Sequence, residues 1–257
     1  MKIIEEFLDI ENIKLEIKLI EITKKASKTP LILLHEGLGS VALWKEWPKL
    51  LAEKLNRTVL VYSRHGMGKS SRINLPRKKN FMHIEASKYL KKIVENYCTT
   101  EPILFGHSDG ASISIIYAGS NLPLKALIVE APHIFVEDIT VKEILKLKLE
   151  WHRSNIKERL QKYHENVELA FLSWCNIWLS KDFKSWNIEN YVKKIEVPTL
   201  AIQGINDQYG TLRQIELLEK NIIKNFSKLI IDNCKHNPHS EHPNLILKKI
   251  DNFLLNY

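Results

Sequence analysis

Cysteine is scarce in this chain, and long apolar runs are missing. Cys98, Cys175 and Cys234 are the three cysteines among 257 residues, odd in number, far apart and without a Cys-x-x-Cys pair. That excludes a disulfide-built scaffold and suits a reducing cytoplasm. No stretch approaches the ~18 consecutive apolar residues of a membrane span. Glu5, Glu6 and Asp9 stand where a signal peptide would need an apolar run, so no export signal is expected. Low-complexity tracts and fixed-period repeats are also missing. With 44% hydrophobic residues the chain has enough apolar material for a packed core, which argues against disorder. No zinc-finger, RNA-recognition or helix-turn-helix signature is present.

What is there begins with charge. Lysine and arginine number 38 against 30 aspartates and glutamates (38 − 30 = +8). The basic residues are scattered, however, and runs such as Arg77-Lys78-Lys79 and Lys193-Lys194 are short. A solvated surface accounts for them. Nucleic acid is not expected as a partner, and the excess leaves only a faint hint of an acidic carrier protein. At roughly 100–200 residues per domain, the length allows one large α/β domain or two domains.

Hydrophobic patterning chooses between these. Ile13, Leu15, Ile17 and Leu19 alternate with Lys14, Glu16 and Lys18, the period of a half-exposed strand, with Phe7-Leu8 upstream as a candidate hairpin partner. Leu31–Leu34, Val59–Tyr62, Ile103–Phe105, Ala126–Val129 and Thr199–Ile202 are instead continuous apolar runs, the signature of strands buried on both faces. A shorter run is Leu229–Ile231. Helical patterns lie between them, at roughly 42–55, 82–97, 109–119, 211–221 and 243–254. Such alternation predicts a mainly parallel sheet with helices on both faces. The stretch from about 133 to 194 interrupts it with helical patterning alone. Phe171, Trp174, Cys175 and Trp178 form an i, i+3, i+4, i+7 stripe there, and four of the six tryptophans fall in this stretch. The expected organisation is one catalytic domain, 1–132 with 195–257, and a helical cap insertion at 133–194.

The strongest local signal is Gly106-His107-Ser108-Asp109-Gly110, between the apolar strand and a helical segment starting at Ala111. Strand, turn and helix are the context of a nucleophile elbow. The serine sits on a strained turn and the glycines permit close approach of strand and helix. The helix N-terminus then aims backbone N–H groups at a reacting carbonyl. Asp207 follows the strand at 199–202, and His236 follows the last strand, before the final helix. Ser, Asp and His therefore each fall at the C-terminal end of a strand, where side chains of a parallel sheet converge.

These motifs resemble the α/β-hydrolase superfamily, and among its members small capped esterases with a Ser-Asp-His triad. The resemblance spans essentially the whole chain. Leu33-Leu34-His35-Glu36-Gly37 is similar to the family's His-Gly loop after the third strand. Tyr62 to Ser70 is similar to its Asp-x-Arg-Gly-x-Gly-x-Ser segment, and His236-Asn237-Pro238 with Glu241 and Pro243 to the surroundings of its catalytic histidine. The resemblance implies Ser108 as nucleophile, His236 as general base and then acid, and Asp207 as orienter of the imidazole. It implies an oxyanion hole of the Gly37 and Asp109 backbone N–H groups, and needs no cofactor or metal. The expected substrate is a small-molecule carboxylic ester or thioester. C–C bond hydrolysis, an acyl-carrier-protein-linked methyl ester and a non-catalytic binding role are alternatives on the same fold.

Glu36 and the pair Ser63 and His65 depart from the family pattern. Glu36 replaces a glycine beside the expected oxyanion donor, where a carboxylate must point away or be neutralised. Ser63 and His65 replace an aspartate and an arginine, so their loop needs other support. Glu130 is a reserve triad acid and His239 a reserve base. His236, His239 and His242 have a ligand-like spacing, but Pro238 and Pro243 interrupt a regular helix across them. Gly68-Lys69-Ser70 is not a phosphate loop, because Ser63 stands where its first glycine would be. Glu36, Glu130, Trp151, Trp174 and Trp178 are the candidate pocket residues.

Overall fold

A computed structural model describes residues 1–22, 29–223 and 225–255. Its core is an eight-stranded sheet in the order β1-β2-β4-β3-β5-β6-β7-β8. β1 (Lys2–Ile10) and β2 (Ile13–Glu21) form an antiparallel hairpin. The turn residues Glu11 and Asn12 both have positive φ, the conformation a two-residue hairpin turn demands. β2 pairs antiparallel with β4 (Val59–Tyr62). The remaining strands are parallel: β3 (Leu31–Leu34), β5 (Ile103–His107), β6 (Ala126–Glu130), β7 (Thr199–Gly204) and β8 (Phe226–Ile231).

The continuous apolar runs are explained by what lies on each face. Along β3, Leu31 and Leu33 belong to one core and Ile32 and Leu34 to the other, as the two-residue side-chain period requires. One face is covered by α1 (Trp47–Leu55) and α11 (Pro243–Leu254). The other is covered by α2 (Phe81–Ile84), α3 (Lys91–Tyr97), α4 (Asp109–Ala118) and α9 (Arg213–Asn221). A π-helical segment, Glu85–Leu90, joins α2 to α3. The prolines at 238 and 243 begin helices rather than end them. α10 (Pro238–Glu241) and α11 each carry proline in the first turn, where its missing N–H is no loss.

Between β6 and β7 the chain forms α5 (Asp138–Glu150), α6 (Ile156–Leu160), α7 (Val167–Trp178) and α8 (Glu189–Val192). The two ends of this excursion are tied together. Phe135 and Asn187 form a β-bridge, and the Ile188 N–H donates to the Ile134 carbonyl at 2.8 Å. Among the described residues, no helix is long and apolar enough to cross a membrane.

Candidate active site

β5 ends at His107 and α4 begins at Asp109, leaving Ser108 on the turn with φ +54° and ψ −117°. That conformation is costly for a residue with a Cβ, and two backbone bonds hold it. The Ser108 N–H donates to Glu130 O at 2.9 Å, and Ser108 O accepts from the Ser112 N–H at 3.1 Å. The flanking glycines answer to close packing. A Cβ on Gly106 would sit 2.3 Å from Gly110 O, and one on Gly110 would sit 2.1 Å from Leu34 O.

At this edge the Ser108 hydroxyl lies 2.9 Å from His236 Nε2, and His236 Nδ1 lies 2.8 Å from each carboxylate oxygen of Asp207. Asp207 in turn accepts from Gln203 Nε2 at 2.7 Å and from the Tyr209 amide at 2.7 Å. Burial works to raise the Asp207 pKa, but the charge and bond of His236 and the Tyr209 amide outweigh it, so the carboxyl is held below its usual range. The His236 loop is itself anchored, since His107 Nε2–H donates to His236 O at 2.7 Å.

Glu36 points at His107: Oε2 lies 3.7 Å from Nδ1. Burial works against both charges. The His107 charge nevertheless lowers the Glu36 carboxyl to about 2. For His107, the Glu36 and Glu130 carboxylates and the His236 carbonyl raise the imidazole to about 9. The carboxylate beside Gly37 is thereby neutralised by a buried imidazolium. Arg64 fastens the loop from the other side. Its Nη2 donates to Glu36 O at 2.7 Å, and its Nη1 pairs with Asp109 Oδ2 at 3.5 Å. Trp178 Nε1 donates to the other Asp109 oxygen at 3.2 Å. Support for the departing loop comes from a distant residue. Glu16 of β2 accepts from Ser63 Oγ at 2.6 Å and from Lys69 N–H at 3.0 Å, so the carboxylate missing at 63 is supplied from β2.

A cavity of about 440 Å³ opens over Ser108. Its walls are Glu36, Gly37 and Leu38, then Thr140, Ile144 and Leu147 of α5, then Trp174 and Trp178 of α7; Tyr209 and His236 lie beside the serine. Gly37 admits no side chain, because a Cβ there would overlap the Trp174 indole. Glu130 and Trp151 lie off this wall. Glu130 is fully buried and accepts from His239 Nδ1 at 2.7 Å and His239 N–H at 3.1 Å. The residues read as reserve acid and reserve base thus bind each other. Trp151 stacks on Phe171 at 3.7 Å, a packing role beneath α7. His107, Glu130 and His239 present potential ligand atoms within 4.8 Å of one another. His236 and His242 take no part in that cluster.

The sequence gives no sign of one residue on the wall. His133, three positions past β6, places Nε2 3.4 Å from Ser108 Oγ. A histidine after a strand has no distinguishing pattern, and only the register of β6 beside β5 brings it to the serine.

A family model for the alpha/beta hydrolase fold matches residues 29–173, and the chain belongs to this family. Within it, the chain is 33% identical over 96 residues to a proline iminopeptidase of Lactobacillus crispatus (strain ST1). That match covers 37% of this chain and 32% of the relative, so it spans about a third of the relative's length. Among solved structures, a proline iminopeptidase of Mycobacterium smegmatis superposes with a TM-score of 0.78 at 14% identity, covering 97% of each chain. A bacterial membrane phospholipase A superposes with a TM-score of 0.77 at 19% identity, covering 98% of this chain and 86% of the other. These likenesses are of fold.

Proposed function

We propose that this protein is a serine hydrolase that cleaves a carboxylic ester or thioester through an acyl-enzyme. The observation that carries the reading is the unbroken hydrogen-bonded series Ser108 Oγ, His236 Nε2, His236 Nδ1 and Asp207. In the reaction, Ser108 Oγ bonds to the carbonyl carbon while its proton passes to His236. His236 returns that proton to the leaving group, and water activated by the same imidazole then releases the acyl group. Asp207 holds the ring with Nε2 facing the serine. The N–H groups of Gly37 and Asp109 receive the oxyanion. Asp109 opens α4, so its N–H has no intrahelical acceptor. Removing one such donor typically costs ~10²–10³ in rate. The helices α5 and α7 act as a cap whose aliphatic and indole walls receive the acyl group.

The wall chemistry favours a neutral substrate. Both of its carboxylates are engaged, Glu36 by His107 and Asp109 by Arg64 and Trp178. An amine-bearing peptide terminus meets no free counter-ion among the described wall residues, which supports an ester over aminopeptidase chemistry. A fluorophosphonate probe tests the reading directly. Wild type is expected to label and Ser108→Ala to stay unlabelled; failure of wild type to label, or equal labelling of the variant, rejects the nucleophile. Turnover of p-nitrophenyl esters is expected to fall at long acyl chains, because Ile144 and Leu147 of α5 and Trp174 and Trp178 of α7 wall the space over Ser108. A flat, near-background panel redirects the assignment to C–C hydrolysis or to binding without turnover.

A further inference from the structure

His133 is built into the reaction centre with more care than a packing residue needs. Ala131, just past β6, is held at φ +48°, with its N–H donating to Ile202 O at 2.9 Å. The His133 carbonyl accepts from Ser112 Oγ at 2.6 Å. The next residue, Ile134, donates its N–H to the buried Gln214 Oε1 at 2.8 Å, and Gln214 Nε2 binds Phe135 O and Glu137. The ring itself is 2% exposed. It meets Trp178 edge-on at 5.1 Å and lies 5.8 Å from the His236 ring. Its position is therefore fixed from the backbone, from α9 and from α7.

The geometry points to His133 as a second histidine of the catalytic centre: a hydrogen-bond donor whose Nε2–H rests on Ser108 Oγ. This inference depends on Ser108 being the nucleophile. Burial first, and then the charge of His236, lower the imidazole to about 3; Asp207 opposes this and His107 adds a smaller lowering effect. It cannot compete with His236 for the serine proton at neutral pH. The tautomer follows from partners. His133 Nδ1 is buried without one among the described residues, and with the Ser108 proton directed at His236 the ring can pair with Oγ only as a donor. The proton accordingly sits on Nε2, facing Ser108.

With that donor in place the serine hydroxyl has one orientation left. Oγ accepts from His133 and its own proton points at His236 Nε2. During attack the proton moves to His236 and Oγ bonds to the carbonyl carbon, while His133 keeps its proton throughout. When the C–Oγ bond breaks in deacylation, Oγ recovers a proton from His236, and the His133 N–H stabilises the oxygen as its charge grows. Neutral imidazole as an electrophilic partner, with a depressed pKa, is established chemistry in other enzymes.

The test compares His133→Phe with His133→Gln, whose amide N–H can reach the same place, after thermal melts confirm that each is folded. Fluorophosphonate labelling and p-nitrophenyl ester turnover are expected to fall about 10–100-fold in His133→Phe, less than loss of a full oxyanion donor because the contact is long. His133→Gln is expected to recover most of that loss. The acid limb of the kcat profile is expected to stay where wild type has it, since His133 does not titrate there. Wild-type rates in His133→Phe, no recovery in the folded Gln variant, or a displaced acid limb would each overturn the inference. Labelling that survives in Ser108→Ala instead rejects the nucleophile, a separate result.

Discussion

Two carboxylates sit at the C-terminal edge of the sheet, and their partners separate their roles. Asp207 reaches His236, which reaches Ser108; Glu130 reaches His239, whose ring packs at 4.8 Å against Trp44, away from the serine. Asp207→Asn is therefore expected to lower kcat by ~10⁴, because the amide favours the wrong imidazole tautomer. Glu130→Gln is expected to keep activity within about tenfold while losing 1–3 kcal/mol of stability from a buried bond. Steady-state kinetics with urea unfolding of both variants checks the pair, and the reverse order of activity loss would transfer the acid role to Glu130. The sequence made Asp207 and His236 legible because each follows an apolar strand run. It could not show that Glu130 and His239 bind each other, since their 109-residue separation is bridged only by the sheet. His133 was hidden for the same reason, as was the Glu16 carboxylate that serves Ser63 from β2.

At the scale of elements, the elbow depends on how closely α4 approaches β3 and β5. The helix begins directly after the serine, and its second residue, Gly110, touches the backbone of Leu34. Gly110→Ala must push α4 away from β3, backbone against backbone. Overpacking typically costs ~1–3 kcal/mol and occasionally more, and this site has no flexible side chain to yield. We expect a Tm several degrees lower and a labelling rate reduced more than the fraction unfolded explains, because Asp109 N–H and Ser108 Oγ move with the helix. A melt measured beside probe labelling separates the two effects; unchanged labelling in a folded variant would detach the α4 position from the chemistry. Elements buried on both faces were the easiest to read from the sequence, as the runs at β3, β4 and β5 show. β1 was harder. Most of its residues are exposed at the sheet edge, so hydrophobic patterning identified little beyond Phe7-Leu8. The π segment at 85–90 was also illegible, because one widened turn leaves the apolar periodicity of the 82–97 helix almost unchanged.

Over the whole molecule, the surface charge of +8 and the buried charges respond oppositely to alkali. Removing protons from a net-positive surface relieves self-repulsion and favours folding. His107 opposes this. Its neighbours are Glu36, Glu130, the His236 carbonyl, and the rings of His239 and Trp44. Against burial, which lowers it, the two carboxylates and the carbonyl raise it to about 9, above its ordinary imidazole value near 6.5. Folding therefore takes up a proton between those values. The stabilisation is complete below about pH 6.5 and is lost as pH rises through about 9. Glu85, raised by burial to about 7 despite Arg64 and Arg77, makes its own loss by about that pH. The interval from 7.5 to 9 thus belongs to His107 together with Cys98, Cys175 and Cys234, whose thiols burial holds protonated while those of the unfolded chain begin to ionise. Urea unfolding across that interval is expected to show stability declining by about 1–3 kcal/mol in total. Glu36→Gln removes the nearest carboxylate, lowers the His107 pKa and should flatten the decline. If wild-type stability instead rises steadily to pH 9, relief of the surface charge outweighs the buried imidazolium. An equal slope in Glu36→Gln would place the titrating group elsewhere. The same cluster carries the His236 carbonyl through His107 Nε2–H, and that bond does not need the proton on Nδ1. Loss of stability in alkali should therefore precede loss of activity, as long as the protein remains folded.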